Sequence, residues 1–329
     1  MDWKNQTVLV TGAGGFIGSQ LVEALLAEGA RVRAFVRYNS RGDPGLLRMC
    51  PSELAEKLEV IPGDIRDQRA IYDIARDCGL VFHLGALISI PYSYWHPHEV
   101  AEVNFMGTLN VLTACRDLHI PRLIHTSTSE VYGTARRTPI DEEHPLQGQS
   151  PYSASKIGAD KLAESFYCAY NLPVVTVRPF NTFGPRQSTR AVIPTIITQA
   201  LVHNTIHLGN LDATRDFTFV SDTVAGFIAA AETVGVEGCV FNLGTGQEIR
   251  IGEVAEKIAR LVGKSARIDV EKNRLRPERS EVMRLISDNR LAREKLGWSP
   301  LVNLNDGLER TIDWIRNHMD LFRPGRYEF

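Results

Sequence analysis

A tyrosine and a lysine stand one helical turn apart in the pattern Tyr152-x-x-x-Lys156. On a helix this spacing puts both side chains on one face. A free phenol has a pKa of about 10 and is a poor base at neutral pH, whereas a neighbouring ammonium favours the phenolate. The pair is therefore typical of a base that takes a proton from a hydroxyl while its carbon is oxidised.

A carboxylate upstream adds a second proton carrier. Glu130 lies in the segment Thr128-Ser129-Glu130, and oxidation of a hydroxyl to a ketone makes the adjacent C–H acidic enough for such a carboxylate to remove it. We predict that Thr128, Glu130, Tyr152 and Lys156 are catalytic. The alternative is that Glu130 is a solvated loop acid, as an isolated glutamate in a Ser/Thr-rich turn commonly is.

A glycine-rich turn follows the first apolar run and opens an amphipathic stretch. Gly12, Gly15 and Gly18 have the spacing G-x-x-G-x-x-G. Glycines at such a turn let backbone N–H groups approach a pyrophosphate at a helix N-terminus. We predict that these glycines, with Phe16 and Ile17, bind a dinucleotide.

The end of the second predicted strand carries no acid for the ribose hydroxyls of NAD. It carries Arg37, Ser40 and Arg41 instead, and arginines there can hold a 2′-phosphate. The residues therefore favour NADP over NAD, with a solvated loop as the alternative.

Two later strand ends complete the predicted cofactor site. Asp64, followed by Ile65, is placed to accept from the adenine amine. Leu84, Gly85 and Ala86 offer close backbone approach.

Short β-branched runs alternate with longer amphipathic stretches in the first half of the chain. The predicted strands cover residues 7–11, 31–36, 58–62, 80–84, 122–126 and 174–178, and the predicted helices cover residues 16–28, 68–77, 98–118 and 151–170. This alternation predicts an α/β fold with a doubly wound parallel Rossmann sheet. Hydroxyls of residues 126–128 should then point into the crevice at the carboxyl edge.

The second half is less regular. Helices are predicted at 192–202, 221–233, 251–262 and 306–317, strands at 206–208, 215–220 and 240–243, and a charged connector at 267–288. We predict a dinucleotide-binding domain over residues 1–180, its sheet completed by segments within 215–245. Residues 181–329 should form mainly a smaller, interleaved substrate lobe.

The overall charge is nearly balanced, with 37 Lys and Arg against 39 Asp and Glu among 329 residues. Neither a nucleic-acid footprint nor a basic membrane patch is present, so small molecules or a second copy are the expected partners. The five cysteines are scattered singly, which fits reduced thiols in the cytoplasm. No cluster has metal-ligand spacing, and we expect no metal.

Taken together, these motifs resemble the extended short-chain dehydrogenase/reductase family, specifically its nucleotide-sugar epimerases, dehydratases and decarboxylases. The resemblance implies a tightly bound dinucleotide that is recycled within each turnover, a nucleotide-sugar substrate and a homodimer formed through a four-helix bundle. It rests on Gly12 to Gly18, Asp64, residues 83–86, Asn104, residues 128–133, Tyr152 and Lys156, residues 178–181 and 184–186, residues 215–217, and Arg276-Pro277.

The residues after Thr128 separate the chemistries within that family. Simple 4-epimerases usually have small residues there, whereas 4,6-dehydratases keep the glutamate and many place an Asp where this chain has Ser129. UDP-glucuronate decarboxylases of the UDP-xylose synthase type share Thr-Ser-Glu. A 4,6-dehydratase is favoured. The decarboxylase, a 4-epimerase and a nucleotide-sensing Rossmann regulator are the alternatives.

Other segments narrow the resemblance. Residues 37–42, 83–94 and 277–282 look most like the NDP-N-acetylglucosamine 4,6-dehydratases of legionaminic-type sugar pathways. In the substrate lobe, the resemblance places Asn181, Arg215 and Arg276 at the nucleotide diphosphate, and we expect Ser89 and Ser129 to bind substrate as well. Ser129 could relay a water that protonates the leaving hydroxyl, unless Glu130 is both base and acid.

Overall fold

Parallel strands form the centre of the computed structural model, which describes residues 1–326. The strands are β1 (Thr7–Thr11), β2 (Arg31–Arg37), β3 (Leu58–Gly63), β4 (Leu80–His83), β5 (Leu123–Thr126), β6 (Val174–Pro179), β7 (Thr182–Phe183), β8 (Thr205–Leu208), β9 (Thr214–Arg215), β10 (Thr218–Phe219), β11 (Val240–Leu243), β12 (Ile249–Arg250) and β13 (Arg267–Val270). Seven of them form one sheet in the order β11-β6-β5-β4-β1-β2-β3, and every pairing within it is parallel.

Helices connect the strands. They are α1 (Phe16–Ala27), α2 (Gln68–Ala75), α3 (Ile90–Trp95), α4 (Pro97–Ala101), α5 (Gly107–Asp117), α6 (Pro151–Tyr170), α7 (Val192–Val202), α8 (Val220–Glu232), α9 (Ile251–Val262), α10 (Arg290–Leu296) and α11 (Leu304–Asn317). The described helices include none that is long and apolar enough to cross a membrane.

The sheet is buried on both faces, as the strand sequences require. Val8 and Val10 pack into one apolar cluster with residues of α1 and α8, while Leu9 between them packs into a second cluster with residues of α2, α5 and α6. Successive side chains of a strand point to opposite faces, so continuous apolar strands fit a sheet covered on both sides. The predicted doubly wound fold is confirmed.

The strand order reverses between β1 and β4, which are neighbours in the sheet. In doubly wound folds, ligands bind at the carboxyl ends of the strands beside such a reversal. The glycine turn after β1, the loop after β4 and the residues after β5 all emerge at this edge.

The second half differs from the sequence-based expectation at two places. The single strand predicted at 215–220 is wrong: β9 pairs with β12, and β10 pairs with β7. Between them, buried Asp216 accepts hydrogen bonds from the backbone N–H groups of Thr245, Gly246 and Ser287, which fixes the chain as it changes partners. The connector predicted at 267–288 contains β13, which pairs with β8. The domain boundary at residue 180 stays a prediction.

The helix predicted at 98–118 is also interrupted. A π-helical turn, Glu102–Met106, separates α4 from α5. Inside this turn, the Asn104 amide donates to the carbonyl of Leu87 and accepts from its N–H group. Such turns are frequent at functional sites, and this one ties the loop after β4 to the helix layer.

Candidate active site

The turn between β1 and α1 brings two backbone segments into contact. Gly12 has a φ of +70°, and a Cβ atom there would lie 2.8 Å from the backbone nitrogen of Gly85. A Cβ atom on Gly18 would lie 2.3 Å from the carbonyl oxygen of Gly12. Only glycine fits such a close approach. Gly85 N–H also donates to the Thr11 hydroxyl at 3.1 Å, so the turn and the loop after β4 form one cradle.

The cradle has the chemistry of a pyrophosphate site. Gly15 is the N-cap of α1, and Phe16 and Ile17 are its first two residues. Their backbone N–H groups are among those that a helix leaves without an intrahelical acceptor, and the helix dipole adds positive potential there. The residues present therefore fit the diphosphate of a dinucleotide.

Arg37 at the end of β2 is 69% exposed in its side chain and lies 3.4 Å from the Glu99 carboxylate. The Tyr92 hydroxyl donates to the same carboxylate. Ser40 and Arg41 are exposed in the following loop. Glu99 is a neighbour that sequence reasoning missed, because α4 supplies it from a distant part of the chain.

Asp64 follows β3, and Arg66 donates to its carboxylate at 2.6 Å. This hydrogen bond lowers the Asp64 pKa. Ile65 is buried, and its Cδ1 atom lies 2.8 Å from the position of a Cβ on Gly85. Ile65 therefore packs under the loop of Leu84, Gly85 and Ala86, and its contact with the cofactor stays a prediction.

Tyr152 and Lys156 lie at the start of α6, beside the end of β5. Ser150 caps this helix in a capping box with Ser153, which fixes the helix start one residue before Tyr152. Both Tyr152 (6% exposed) and Lys156 (4%) are buried. The Lys156 Nζ atom donates to the carbonyl oxygen of Thr126 at 2.6 Å.

Burial shapes the proton affinity of both groups. It raises the pKa of Tyr152 well above the usual value for a phenol, and a hydrogen bond with the Thr128 hydroxyl opposes that rise. Burial also lowers the pKa of Lys156 to about 8. Tyr152, Lys156 and Thr128 thus form one cluster, and a positively charged ring beside Tyr152 would favour its phenolate.

Glu130 is 9% exposed, so it is not a solvated loop acid. The Thr128 side chain caps the 3₁₀ turn Ser129–Tyr132 by accepting from the Glu130 N–H at 3.2 Å. The Glu130 carboxylate raises the pKa of Tyr152, and its Oε1 atom lies 3.8 Å from Nη1 of Arg276. The structure therefore brings Glu130 to the Tyr152 cluster on one side and to Arg276 of the C-terminal half on the other.

Two arginines and a second glutamate continue the site into the C-terminal half. Glu281 lies 3.6 Å from Arg215 and 3.9 Å from Arg276. Burial lowers the pKa of Arg215. Sequence reasoning missed Glu281, although it lies in the segment 277–282, because only the fold places it between the two arginines.

The remaining predicted substrate residues differ in their surroundings. The buried Oδ1 atom of Asn181 has no hydrogen-bond partner among residues 1–326. Ser129 is buried beside Glu130. Ser89 caps α3 by accepting from the Tyr92 N–H at 3.3 Å, so its hydroxyl already has a structural use.

The expectation that the Ser127 hydroxyl points into the crevice is wrong. Its Oγ atom donates to the buried carboxylate of Asp160 at 2.7 Å. Asp160 lies one turn after Lys156 on α6 and also accepts from Arg178 at 2.9 Å. A buried carboxylate needs such donors, and this need draws Ser127 away from the sheet edge.

His83 is a satisfied core histidine, as its apolar strand predicts. Its ring nitrogens hydrogen-bond the hydroxyls of Thr11 and Thr108 at 2.8 and 2.9 Å. Burial holds the pKa of His83 well below its ordinary value. Within residues 1–326, no group of three or more His, Cys, Asp or Glu side chains could hold a metal ion.

Known proteins resemble this chain over nearly its whole length. The model of the GDP-mannose 4,6 dehydratase family matches residues 9–311. A UDP-glucose 4-epimerase of Mycolicibacterium smegmatis is 35% identical over 315 residues, which cover 94% of this chain and 98% of the relative. A dTDP-glucose 4,6-dehydratase of Streptomyces niveus is 30% identical over 325 residues, covering 96% and 95%.

The solved structures agree with these relatives. DesIV, a dTDP-glucose 4,6-dehydratase from Streptomyces venezuelae solved with NAD bound, superposes with a TM-score of 0.87 at 28% identity, covering 96% of this chain and 99% of DesIV. The relatives include both dehydratases and epimerases, so the choice between these two reactions depends on the site residues.

Proposed function

Since the chain belongs to the GDP-mannose 4,6-dehydratase family, an enzyme family of nucleotide-sugar chemistry with a nicotinamide cofactor, we propose that it is a nucleotide-sugar 4,6-dehydratase. The favoured substrate is an NDP-linked N-acetylglucosamine, because several segments of the chain resemble dehydratases of that sugar. Another NDP-hexose is the alternative. The product is the 4-keto-6-deoxy sugar.

One observation carries the proposal. The Glu130 carboxylate is buried beside the Tyr152 cluster and within 3.8 Å of a substrate-lobe arginine. A carboxylate is costly to bury without a use or a partner. An epimerase that only oxidises and reduces C4 needs no such second proton carrier, whereas elimination across C5 and C6 does.

Three residues act in the oxidation at C4. Tyr152 takes the proton of the C4 hydroxyl, and Thr128 hydrogen-bonds the same oxygen. Lys156 keeps an ammonium beside the phenolate that this step needs. A bound nicotinamide supplies the acceptor, and later the donor, of the hydride that moves from C4 to C6.

Glu130 then acts on the ketone. It removes the C5 proton, which the C4 carbonyl has made acidic, and the C6 hydroxyl leaves as water. Either Glu130 passes its proton to that hydroxyl, or a water held by Ser129 does. C5 then takes a proton from solvent, and the proton of the C4 hydroxyl leaves Tyr152 for solvent, so atoms and charge balance.

The substrate lobe supplies the diphosphate contacts in this proposal. Arg215 and Arg276 face two carboxylates, those of Glu130 and Glu281. The guanidinium groups lie 3.6 to 3.9 Å from these carboxylates. Arginines form charge-assisted, bidentate hydrogen bonds with phosphate oxygens, so both are suited to bind a diphosphate. The buried Oδ1 atom of Asn181, which has no hydrogen-bond partner among residues 1–326, supports a further polar contact with the ligand.

We propose that the cofactor is NADP, because the arginines after β2 can hold a 2′-phosphate. The alternative is NAD, which is bound in the DesIV structure, and the ion pair of Arg37 with Glu99 favours that alternative because it occupies the arginine. Denaturing the purified protein and identifying the released dinucleotide by mass decides between them.

A homodimer through a four-helix bundle and a cytoplasmic location are separate proposals, both from the family resemblance. Light scattering of the purified protein tests the first of them. A particle of the mass of one chain at micromolar concentration would contradict it.

The second candidate function is a nucleotide-sugar 4-epimerase. Two observations favour it: the Mycolicibacterium relative carries that name, and Ser129 stands where many dehydratases have an acid. In that case Glu130 would serve only as a partner of Arg276.

A substrate panel tests these candidates. Purified protein is incubated with UDP- and GDP-linked glucose, N-acetylglucosamine, mannose and glucuronate, and products are identified by mass and by chromatography. Loss of water from a neutral sugar supports the proposal. Loss of carbon dioxide from the glucuronate marks a decarboxylase, an isomer of equal mass marks an epimerase, and unchanged substrate marks a binding protein.

A further inference from the structure

A buried polar network lies directly behind Lys156. At its centre, the carboxylate of Asp160 accepts four hydrogen bonds: from His125 Nε2 at 3.2 Å, from Ser127 Oγ at 2.7 Å, and from Arg178 Nε and Nη2 at 3.1 and 2.9 Å. Asp160 is 5% exposed. Its carboxylate is therefore fully engaged and cannot reorient without breaking several bonds at once.

Two of the donors, His125 and Ser127, lie at the end of β5, to which Lys156 also donates a hydrogen bond. His125 and Ser127 flank Thr126, and the Thr126 carbonyl accepts the Lys156 Nζ hydrogen bond at 2.6 Å. Asp160 thus anchors the residues on both sides of the Lys156 acceptor. It belongs to the same helix as Lys156, so α6 and the end of β5 are tied together twice.

The network extends away from the cofactor edge. Arg178 also donates to the Tyr132 hydroxyl at 2.8 Å, and Tyr132 donates to Asn242 at 2.8 Å. Asp160 and Arg178 line a cavity of about 550 Å³, together with Glu142 and Lys161. Neither Tyr152 nor Glu130 lines this cavity, so Asp160 stands at the boundary between it and the catalytic pair.

We propose that Asp160 is a positioning residue: its hydrogen bonds clamp the end of β5 to α6, and its negative charge stabilises the Lys156 ammonium beside Tyr152. The inference rests on the proposed function only in taking Lys156 to act with Tyr152. It assigns no contact between Asp160 and substrate.

The charges around Lys156 support this role. The titratable groups near it are Tyr152 and Asp160 on α6, His83 on β4 and His125 on β5, with Arg178 of β6 on the far side of Asp160. Burial lowers the pKa of both histidines, which keeps them neutral. Asp160 is the anion of this set, and its charge counteracts the burial that lowers the Lys156 pKa.

The test reads the Lys156 pKa directly. Full-length protein with its bound cofactor is produced with lysine labelled with ¹³C at Cε, and its lysine signals are followed by NMR as the pH is varied. The Lys156 signal is the one that is missing from the spectrum of the K156R variant. D160N removes the charge but keeps the size. We expect the Lys156 pKa to fall by about one unit, the lower end of the effect of losing a nearby opposite charge.

Two controls separate this effect from general disturbance. D73N makes the same charge change at an exposed aspartate of α2 and should leave the Lys156 pKa unchanged. S127A removes one hydrogen bond of Asp160 but keeps the carboxylate, and should also leave it close to wild type. Unchanged Lys156 titration in a folded D160N protein would overturn the proposal.

A second variant covers the case in which D160N does not fold. D160N/R178Q removes both charges of the buried pair, so no uncompensated charge remains. The lost Arg178 charge opposes the effect of the lost Asp160 charge but lies farther from Lys156, on the far side of Asp160, so a smaller downward shift is expected; its absence would overturn the proposal. No substrate is needed, so a wrong proposed function leaves this result standing. Once a substrate is known, the alkaline limb of kcat should move to lower pH in D160N.

Discussion

The two halves of the site are held together in different ways. Around Lys156 and Asp160, buried groups form hydrogen bonds of 2.6 to 3.2 Å between fixed elements of the sheet and α6. Around Arg215 and Arg276, the charged atoms lie 3.6 to 3.9 Å apart. The hydrogen bonds of the first half are complete within the protein, whereas the second half is proposed to bind the ligand's diphosphate. Preorganisation belongs where charge develops in the reaction.

The largest effect should come from the organised half. Tyr152→Phe removes the only atom of this side chain that can exchange a proton, so we expect kcat to fall by about 10³-fold, within the range typical of acid–base catalysis. Nucleotide binding and the melting temperature should change little. Tyr167→Phe, a change at a partly exposed tyrosine of the same helix, is the matched control; an equal loss of activity in both variants would contradict the assignment.

Glu130 links the two halves, and its loss should come next. Glu130→Gln should lower the rate of dehydration by about 10²-fold, as expected for a lost base. Oxidation at C4 should continue, so reduced cofactor should accumulate, which is measured by its near-ultraviolet absorbance. Glu164→Gln, at an exposed glutamate of α6, controls for the loss of a charge. Full turnover in the Glu130 variant would remove this residue from the mechanism.

The half of the site around Arg215 and Arg276 should show a change in nucleotide binding instead. Arg276→Gln removes a charged donor to the diphosphate, and we expect UDP or GDP to bind about tenfold more weakly by calorimetry, since such hydrogen bonds contribute about 1.5–3 kcal/mol. Arg69→Gln, at an exposed arginine, is the control. Unchanged nucleotide affinity would mean that Arg276 serves Glu130 alone.

The smallest effect concerns the helix start that positions the catalytic pair. Ser150→Ala removes the N-cap of α6, so we expect the free energy of unfolding to fall by about 1 kcal/mol in chemical denaturation. Ser165→Ala, at an exposed serine on the same helix, should cost less. If the two variants have equal stability, the capping box contributes nothing to this end of the site.

Local patterns predicted the framework of both halves. The glycine turn, the apolar strands and the Tyr152–Lys156 spacing depend on residues close in sequence, and each can be read from that neighbourhood. The parallel sheet and its two covered faces follow from the alternation of strands and helices. The fold class could therefore be predicted, together with the edge of the sheet where the site lies.

Long-range contacts could not be predicted in the same way. The Asp160–Arg178 pair, the Arg37–Glu99 pair and the position of Glu281 between two arginines each join segments that the sequence separates. Ser127 shows the consequence: its place in a hydroxyl-rich strand end suggested the ligand crevice, but the demand of a buried carboxylate turned it inward. The need of the buried Asp160 carboxylate for hydrogen-bond donors outweighed the local sequence pattern.

In the proposed reaction, the buried carboxylate of Glu130 turns C4 oxidation into elimination. This step is tested by the mass of the product that the wild-type protein forms from an NDP-linked N-acetylglucosamine in deuterium oxide. We predict a product that has lost one water and carries one deuterium at C5. A product that has the mass of the substrate, is inverted at C4 and carries no deuterium at C5 would contradict the account.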